Sequence, residues 1–450
     1  MEHTARFFSS GNTSSHEFPD VLAMVQEYLS GKYSALITRS AAEQKQQVTA
    51  YISKYLADNS LSVEGMGFDA LVERLYTEMA EFSFLTEYLF SNNVEEININ
   101  AWNDIKVIYT DGRIEPAREK FNSPTHAIDV VRRILHKSGM ILDNSQPVIR
   151  GHLSNKIRIT VFGSPVTDRD KGVAASIRII NPQKLTRDDF IGNGTAIPEM
   201  LDFLGTALRY GVSMCVTGAT SSGKTTLMSW ILSTIPDDKR IVTIENGCRE
   251  FDLVKYGAAG CVINNVIHLT TKESDDPKQN IDQEKLLEFT LTANPDVICV
   301  GEAKSAEAWA AQEAARTGHS VITTTHANSC SATYYRLVTL CRQKYSVDEK
   351  TLHNLVTEAF PIVLFVKRLE DNSRRVMEVT ECEIDDGGRR KIRTLYRYHV
   401  TANEVVDGKP RVSGRFEKVT EISAGLQKRL LENGMPAGML DAIVKGGAAQ

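Results

Sequence analysis

Residues Gly218-Ala219-Thr220-Ser221-Ser222-Gly223-Lys224-Thr225 match G-x-x-x-x-G-K-[ST] at every fixed position, and this stretch decides the fold. Glycines at those places let consecutive backbone N–H groups turn inward around a β-phosphate. Lys224 supplies a point charge for the β/γ oxygens, and the Thr225 hydroxyl completes the coordination of Mg²⁺. The flanks agree with this reading. Residues 213–217 (Ser-Met-Cys-Val-Thr) predict a short buried strand entering the loop, and a helix begins at Thr226 and stops near Pro236. Residues 218–226 are therefore the candidate site for a nucleoside triphosphate, ATP with Mg²⁺, in an α/β domain.

Working outward, 450 residues divide into several domains, each with its own core. A chain that is 42% hydrophobic and 24% charged is neither disordered nor fibrous. A net charge of −5 argues against a molecule built as a whole to wrap nucleic acid. The longest apolar run, 359–366, has the length of a strand and contains Pro361, so no transmembrane span is expected. The polar first twenty residues lack the basic-then-apolar order of a signal peptide, which points to the cytoplasm. Seven cysteines occur singly, with no C-x-x-C pair, against both a zinc knuckle and a disulfide framework.

Residues 1–17 are Ser/Thr/Asn-rich and expected to be mobile. From 18 to 90 three amphipathic faces recur: Val21, Leu22, Val25 and Leu29; Val48, Ile52, Tyr55 and Leu56; Leu71, Leu75, Met79 and Phe82. They fit a three-helix packing module or, alternatively, a helix that docks on a partner or a membrane surface. From 91 to 180 strand signals (94–100, 105–109, 157–162, 174–180) surround one helix (127–137), a mixed α/β domain. Residues 181–198 are turn-rich and suit a linker. From 199 to 370 strands and helices alternate, the mark of a parallel sheet with crossover helices. Residues 371–450 carry two Gly-containing hairpins and a short helix.

Two further strands in the 199–370 region end in carboxylates: 241–245 ends at Glu245, and 297–302 ends at Glu302. A parallel sheet would bring both to the edge where the phosphate loop lies. One could then serve the Mg²⁺ shell while the other orients or deprotonates water. A lone acid at a strand end otherwise reads as a helix cap or a solvated turn. The β-branched run 321–325 leads into His326, placing an imidazole at the same edge; His319 is less well positioned.

Together the phosphate loop, T-I-E (243–245), P-D-x-I-x-V-G-E (295–302) and T-G-H…T-T-x-H-A-N-S (317–329) resemble the secretion-superfamily ATPases. These are the ring-forming motors of type II secretion, type IV pili and type IV secretion. The helical N-terminal module, the segment 86–98 and the tail 414–434 are most similar to the CpaF/TadA branch, which serves Tad-type pili. The resemblance covers about residues 65–435. It implies a RecA-like P-loop domain preceded by an α/β (PAS-like) domain and the helical module.

By that resemblance Lys224 and Thr225 are phosphate and magnesium ligands, and Glu245 belongs to an acidic box. Glu302 activates water, and His326 is the His-box imidazole. Arg158 and Arg178 fall where the N-terminal domain supplies arginines to the nucleotide across a subunit boundary; read alone, they are equally solvated strand residues. The implied partners are copies of the same chain, in a hexamer, and an inner-membrane platform protein. The implied location is peripheral to the inner face of the cytoplasmic membrane, with no direct nucleic-acid contact. Asn246, Lys304 and His152 depart from the family's Asp, Arg and Arg. Two other readings stay open: a RecA-like nucleic-acid translocase, and an ATP-binding scaffold without hydrolysis.

Overall fold

The computed structural model describes residues 14–30 and 41–445, apart from 81, 90, 92, 155, 181–184, 259, 273–276, 306 and 386. The expected mobile N-terminus therefore lies, up to residue 13, outside the described residues. The chain forms two compact units, residues 1–179 and 180–450.

In the first unit, helices Phe18–Ser30, Ala41–Asp58 and Phe68–Ala80 close on a core that includes Val21, Val25, Val48, Ile52, Leu56, Leu71 and Leu75. Ser14–His16 pairs in parallel with Leu61–Val63, so the helical stretch contains a strand that helical periodicity could not show. Phe82, read as part of the third helix face, packs instead against the neighbouring α/β core.

That core lies under an antiparallel six-stranded sheet, in the order Ile114–Pro116, Asp104–Tyr109, Val94–Ala101, Ala174–Ile179, Ile157–Phe162, Val148–Ser154. One helix, Pro124–His136, contributes Ala127, Val130, Val131, Ile134 and Leu135 to the core. Its start is fixed locally. Ser123 caps it by accepting from the His126 N–H, and Pro124 sits in the first turn, where a missing N–H costs nothing.

The second unit is built on a nine-stranded sheet. Its order is Val266–Thr270, Ile241–Glu245, Val297–Val300, Ser320–Thr325, Met214–Thr217, Ile362–Arg368, Arg374–Ile384, Arg390–Val406, Lys409–Lys418. The first six strands run parallel and the last three antiparallel. The C-terminal hairpins thus continue the sheet that holds the phosphate loop.

Helices cover both faces of the sheet. Pro198–Arg209, Lys224–Ser233 and Ala424–Glu432 pack into one core, and Glu307–Arg316, Cys330–Arg342 and Glu349–Ala359 pack into the other. Burial on both faces explains why Met214–Thr217, Val297–Val300 and Ser320–Thr325 are buried at every position and show no alternation.

The stretch read as a linker also differs from expectation. Residues 181–184 lie outside the described residues, but Arg187–Gly192 is a helix with a capping box between Thr186 and Asp189. Phe190 drops into the core beside Trp230, and Arg187 holds Asp202 bidentately at 2.8 and 2.7 Å. Turn residues dominate the composition there because they cap a short helix.

Candidate functional site

The strand Met214–Thr217 lies between Ser320–Thr325 and Ile362–Arg368, and the phosphate loop leaves its C-terminal end. Gly218 has φ +151°, and a Cβ built there would lie 2.1 Å from the Val366 carbonyl oxygen. Gly223 has φ +93° and opens the helix Lys224–Ser233. Both positions need glycine, one for space and both for conformation.

Lys224 is buried, and its Nζ donates to the carbonyls of Gly218 at 3.0 Å and Ala219 at 2.9 Å, which puts the ammonium inside the arc of the loop. The Ser222 Oγ is also buried and has no hydrogen-bond partner among the described residues. Thr225 and Thr226 are half-buried in the first helical turn. A glycine cradle, an enclosed ammonium, an unpartnered hydroxyl and a ten-residue helix starting at the loop fit a nucleotide's phosphates and their Mg²⁺.

Glu302 and His326 meet beside this loop. The His326 Nε2 is 3.0 Å from Glu302 Oε1, and its Nδ1 is 3.1 Å from the Gly218 carbonyl oxygen. The backbone carrying Glu302 is fastened on both sides. The Gly301 N–H donates to Ile244 and the Ala303 N–H to Thr324, while the hydroxyls of Thr324 and Thr325 donate back to the carbonyls of Gly301 and Ala303, each at 2.8 Å. The β-branched run before His326 thus also fixes the carboxylate strand. His319 sits at the other end of that strand, beside Thr317, away from the loop.

Glu245 behaves otherwise than expected of a magnesium-shell acid. Its carboxylate is buried and accepts from the Thr243 hydroxyl at 2.8 Å, the Phe251 N–H at 3.0 Å and the Glu250 N–H. His268 completes the group, with Nδ1 2.8 Å from the Thr243 oxygen. Because Thr243 spends its proton on Glu245, Nδ1 must be the His268 donor. Its Nε2 is buried with no hydrogen-bond partner among the described residues. Glu245 Oε1 therefore binds Thr243 within the strand, and Oε2 holds the segment after the strand in place. Asn246 accepts from the Thr271 hydroxyl at 3.1 Å, and Lys304 is exposed.

Arg158 and Arg178 belong to the first unit, directly opposite each other on neighbouring strands. His152 lies opposite Arg158 on one side, and Glu96 lies opposite Arg178 on the other. The row thus runs His152, Arg158, Arg178, Glu96 across four neighbouring strands, two arginines flanked by an imidazole and a carboxylate.

One residue that no motif indicated touches the loop. The Arg374 Nε donates to the Ser221 carbonyl at 3.3 Å, and its Cδ lies 3.0 Å from where a Cβ on Gly223 would be. It stands 153 residues from Ser221 in sequence, so local pattern gave no signal for it.

Fold and loop together define the class: an α/β protein whose parallel sheet presents a P-loop at its C-terminal edge. Within that class the chain belongs to the family described as Type II/IV secretion system protein, which matches residues 152–431. It is similar to "Probable conjugal transfer protein TrbB" of Sinorhizobium fredii, with 25% identity over 310 residues covering 68% of this chain and 88% of that protein. It is also similar to "Type IV secretion system protein PtlH" of Bordetella pertussis, with 33% identity over 184 residues covering 40% of this chain and 52% of that one. Among solved structures, the Legionella pneumophila ATPase DotB aligns with TM-score 0.48 at 22% identity, over 67% of this chain and 80% of its own. Among the described residues no helix is long and apolar enough to cross a membrane.

Proposed function

We propose that this protein hydrolyses ATP to ADP and phosphate and uses the cycle to drive a secretion or pilus machine. The observation that carries the reading is the Glu302–His326 pair anchored on the Gly218 carbonyl of the phosphate loop. Lys224 and the loop N–H groups hold the β- and γ-phosphates, and the Thr225 hydroxyl joins the Mg²⁺ shell. When bound, Mg²⁺ neutralises charge on the phosphates. Glu302 orients and deprotonates the attacking water, and His326 fixes the direction of that carboxylate. Glu245 shapes the segment behind the strand and is assigned no ligand.

Arg158 and Arg178 are assigned to the nucleotide of a neighbouring subunit in a hexameric ring, supported by their place directly opposite each other on neighbouring strands. The relatives named for conjugal transfer and type IV secretion support a membrane-embedded platform as the partner, with this protein peripheral to it on the cytoplasmic side. Segments 86–98 and 414–434 favour a Tad-type pilus among the machines of the family.

The test is steady-state hydrolysis with Mg²⁺ by the full chain beside Glu302→Gln and Lys224→Ala. Both variants should lose turnover, and Glu302→Gln should still bind ATP. Wild type that binds ATP yet never turns over, with or without its membrane platform, would leave the scaffold reading. Sedimentation with ATP should show a ring, and a persistent monomer would remove the assignment of Arg158 and Arg178.

A further inference from the structure

We propose that Arg374 is a phosphate-positioning residue of the nucleotide site, supplied from the same chain by the strand that follows the sheet's last parallel member. The inference rests on the nucleotide reading above and adds a second cation beside Lys224.

The support begins with the turn 369–373. The Leu369 N–H donates to the Ser373 carbonyl at 2.8 Å, and Asn372 takes φ +64°. The Asp371 carboxylate accepts from the Ser373 N–H at 3.0 Å and, across to the last hairpin, from the Val412 N–H at 3.0 Å. The turn is therefore tied down at both ends, and Arg374 leaves it from a fixed point.

Three arginines surround this turn, and two face elsewhere. Arg368 donates from Nε and Nη2 to Asn372 Oδ1, and Arg375 donates from Nη1 to the Asn193 and Arg374 carbonyls. Arg374 turns to the loop, with its aliphatic stem against Gly223 and its Nε on the Ser221 carbonyl. The adjoining strand of the same pair supplies the Val366 carbonyl that excludes any side chain at Gly218. One strand pair thus braces both ends of the loop, and the charged member of that brace is Arg374.

Placed here, the guanidinium does two things. Its bond to the Ser221 carbonyl steadies the arc whose N–H groups face a β-phosphate, and its charge lowers the cost of bringing a polyanion into the loop. Both effects act on binding of the β-phosphate, so ADP and ATP should feel them equally.

The experiment measures ATP and ADP binding by calorimetry, and the kcat and KM for ATP hydrolysis, on full-length wild type, Arg374→Met and Arg374→Lys. Methionine keeps the stem against Gly223 and removes the charge, whereas lysine keeps a charge without the fork of donors. Arg374→Met should weaken ADP and ATP binding alike by about tenfold and raise KM by a similar factor, leaving kcat within about twofold. Arg374→Lys should recover part of the loss. Unchanged binding in Arg374→Met, a lysine variant no better than methionine, or a fall confined to kcat would each overturn the proposal. Wild type that binds neither nucleotide would remove the nucleotide reading and this inference with it. Normal wild-type binding with an unaffected Arg374→Met would remove the inference alone.

Discussion

His326 bridges Glu302 and the phosphate loop: its Nε2 lies 3.0 Å from the Glu302 carboxylate while its Nδ1 lies 3.1 Å from the Gly218 carbonyl oxygen. One imidazole therefore ties the position of the Glu302 carboxylate to the backbone of the phosphate loop.

The first prediction follows from that link. His326→Ala should leave ATP binding within about threefold of wild type, because Lys224 and the loop amides are untouched, while kcat falls on the order of a hundredfold. Single-turnover hydrolysis beside equilibrium binding would check it. An unchanged kcat would take His326 out of the hydrolytic set.

Gly218→Ala tests the cradle itself. A methyl at this position would lie 2.1 Å from the Val366 carbonyl and would have to adopt φ +151°. Both demands fall on backbone that cannot yield, so stability should drop by about 1–3 kcal/mol and ATP binding should be lost. Denaturant unfolding and calorimetry report the two effects separately.

Much of this site was legible from sequence, because its parts are either contiguous or placed by the ends of strands. The eight residues 218–225 carry their own geometry, and a buried parallel strand delivers the residues just past its end to a known edge, as with Glu302 and His326. The illegible parts depended on contacts distant in sequence. Glu245 ends its strand just as Glu302 nearly does, yet the chain folds back so that the N–H groups of Glu250 and Phe251 both bond its Oε2. Arg374 was invisible because nothing local marks an arginine that reaches back 153 residues. Residues 181–198 read as a linker because the six-residue helix Arg187–Gly192 carries too few turns for periodicity to show.

The engagement of Glu245 predicts a structural phenotype. Glu245→Ala would strand the buried N–H of Phe251 and the Thr243 hydroxyl, at about 1–3 kcal/mol for each buried group left unpaired. Glu245→Gln retains one acceptor oxygen and should cost less. Chemical denaturation should rank wild type above Gln above Ala, while the Mg²⁺ concentration for half-maximal turnover should stay the same in the Gln variant. A large shift in that concentration would return Glu245 to the magnesium shell.

A final prediction concerns acid stability and the attachment of the helix Ala424–Glu432. Ser423 caps this helix by accepting from the Leu426 N–H, and is itself held by Glu381, whose buried carboxylate accepts the Ser423 N–H at 2.8 Å and also the Ser423 hydroxyl. Burial raises the Glu381 carboxyl above its ordinary value, against the lowering effect of the two Ser423 bonds. A folded-state pKa above the unfolded one means that the native state binds the proton more tightly. The stabilisation is thus complete below the ordinary value of 4.5 and is lost as pH climbs through the raised one. Glu381→Gln cannot titrate. The stability of wild type relative to this variant should therefore be greatest in acid, decline as pH rises above 4.5, and level off once Glu381 is ionised. Urea unfolding of both proteins across that window would measure the difference, and a wild type that instead gained on the variant with rising pH would reverse the sign assigned to Glu381.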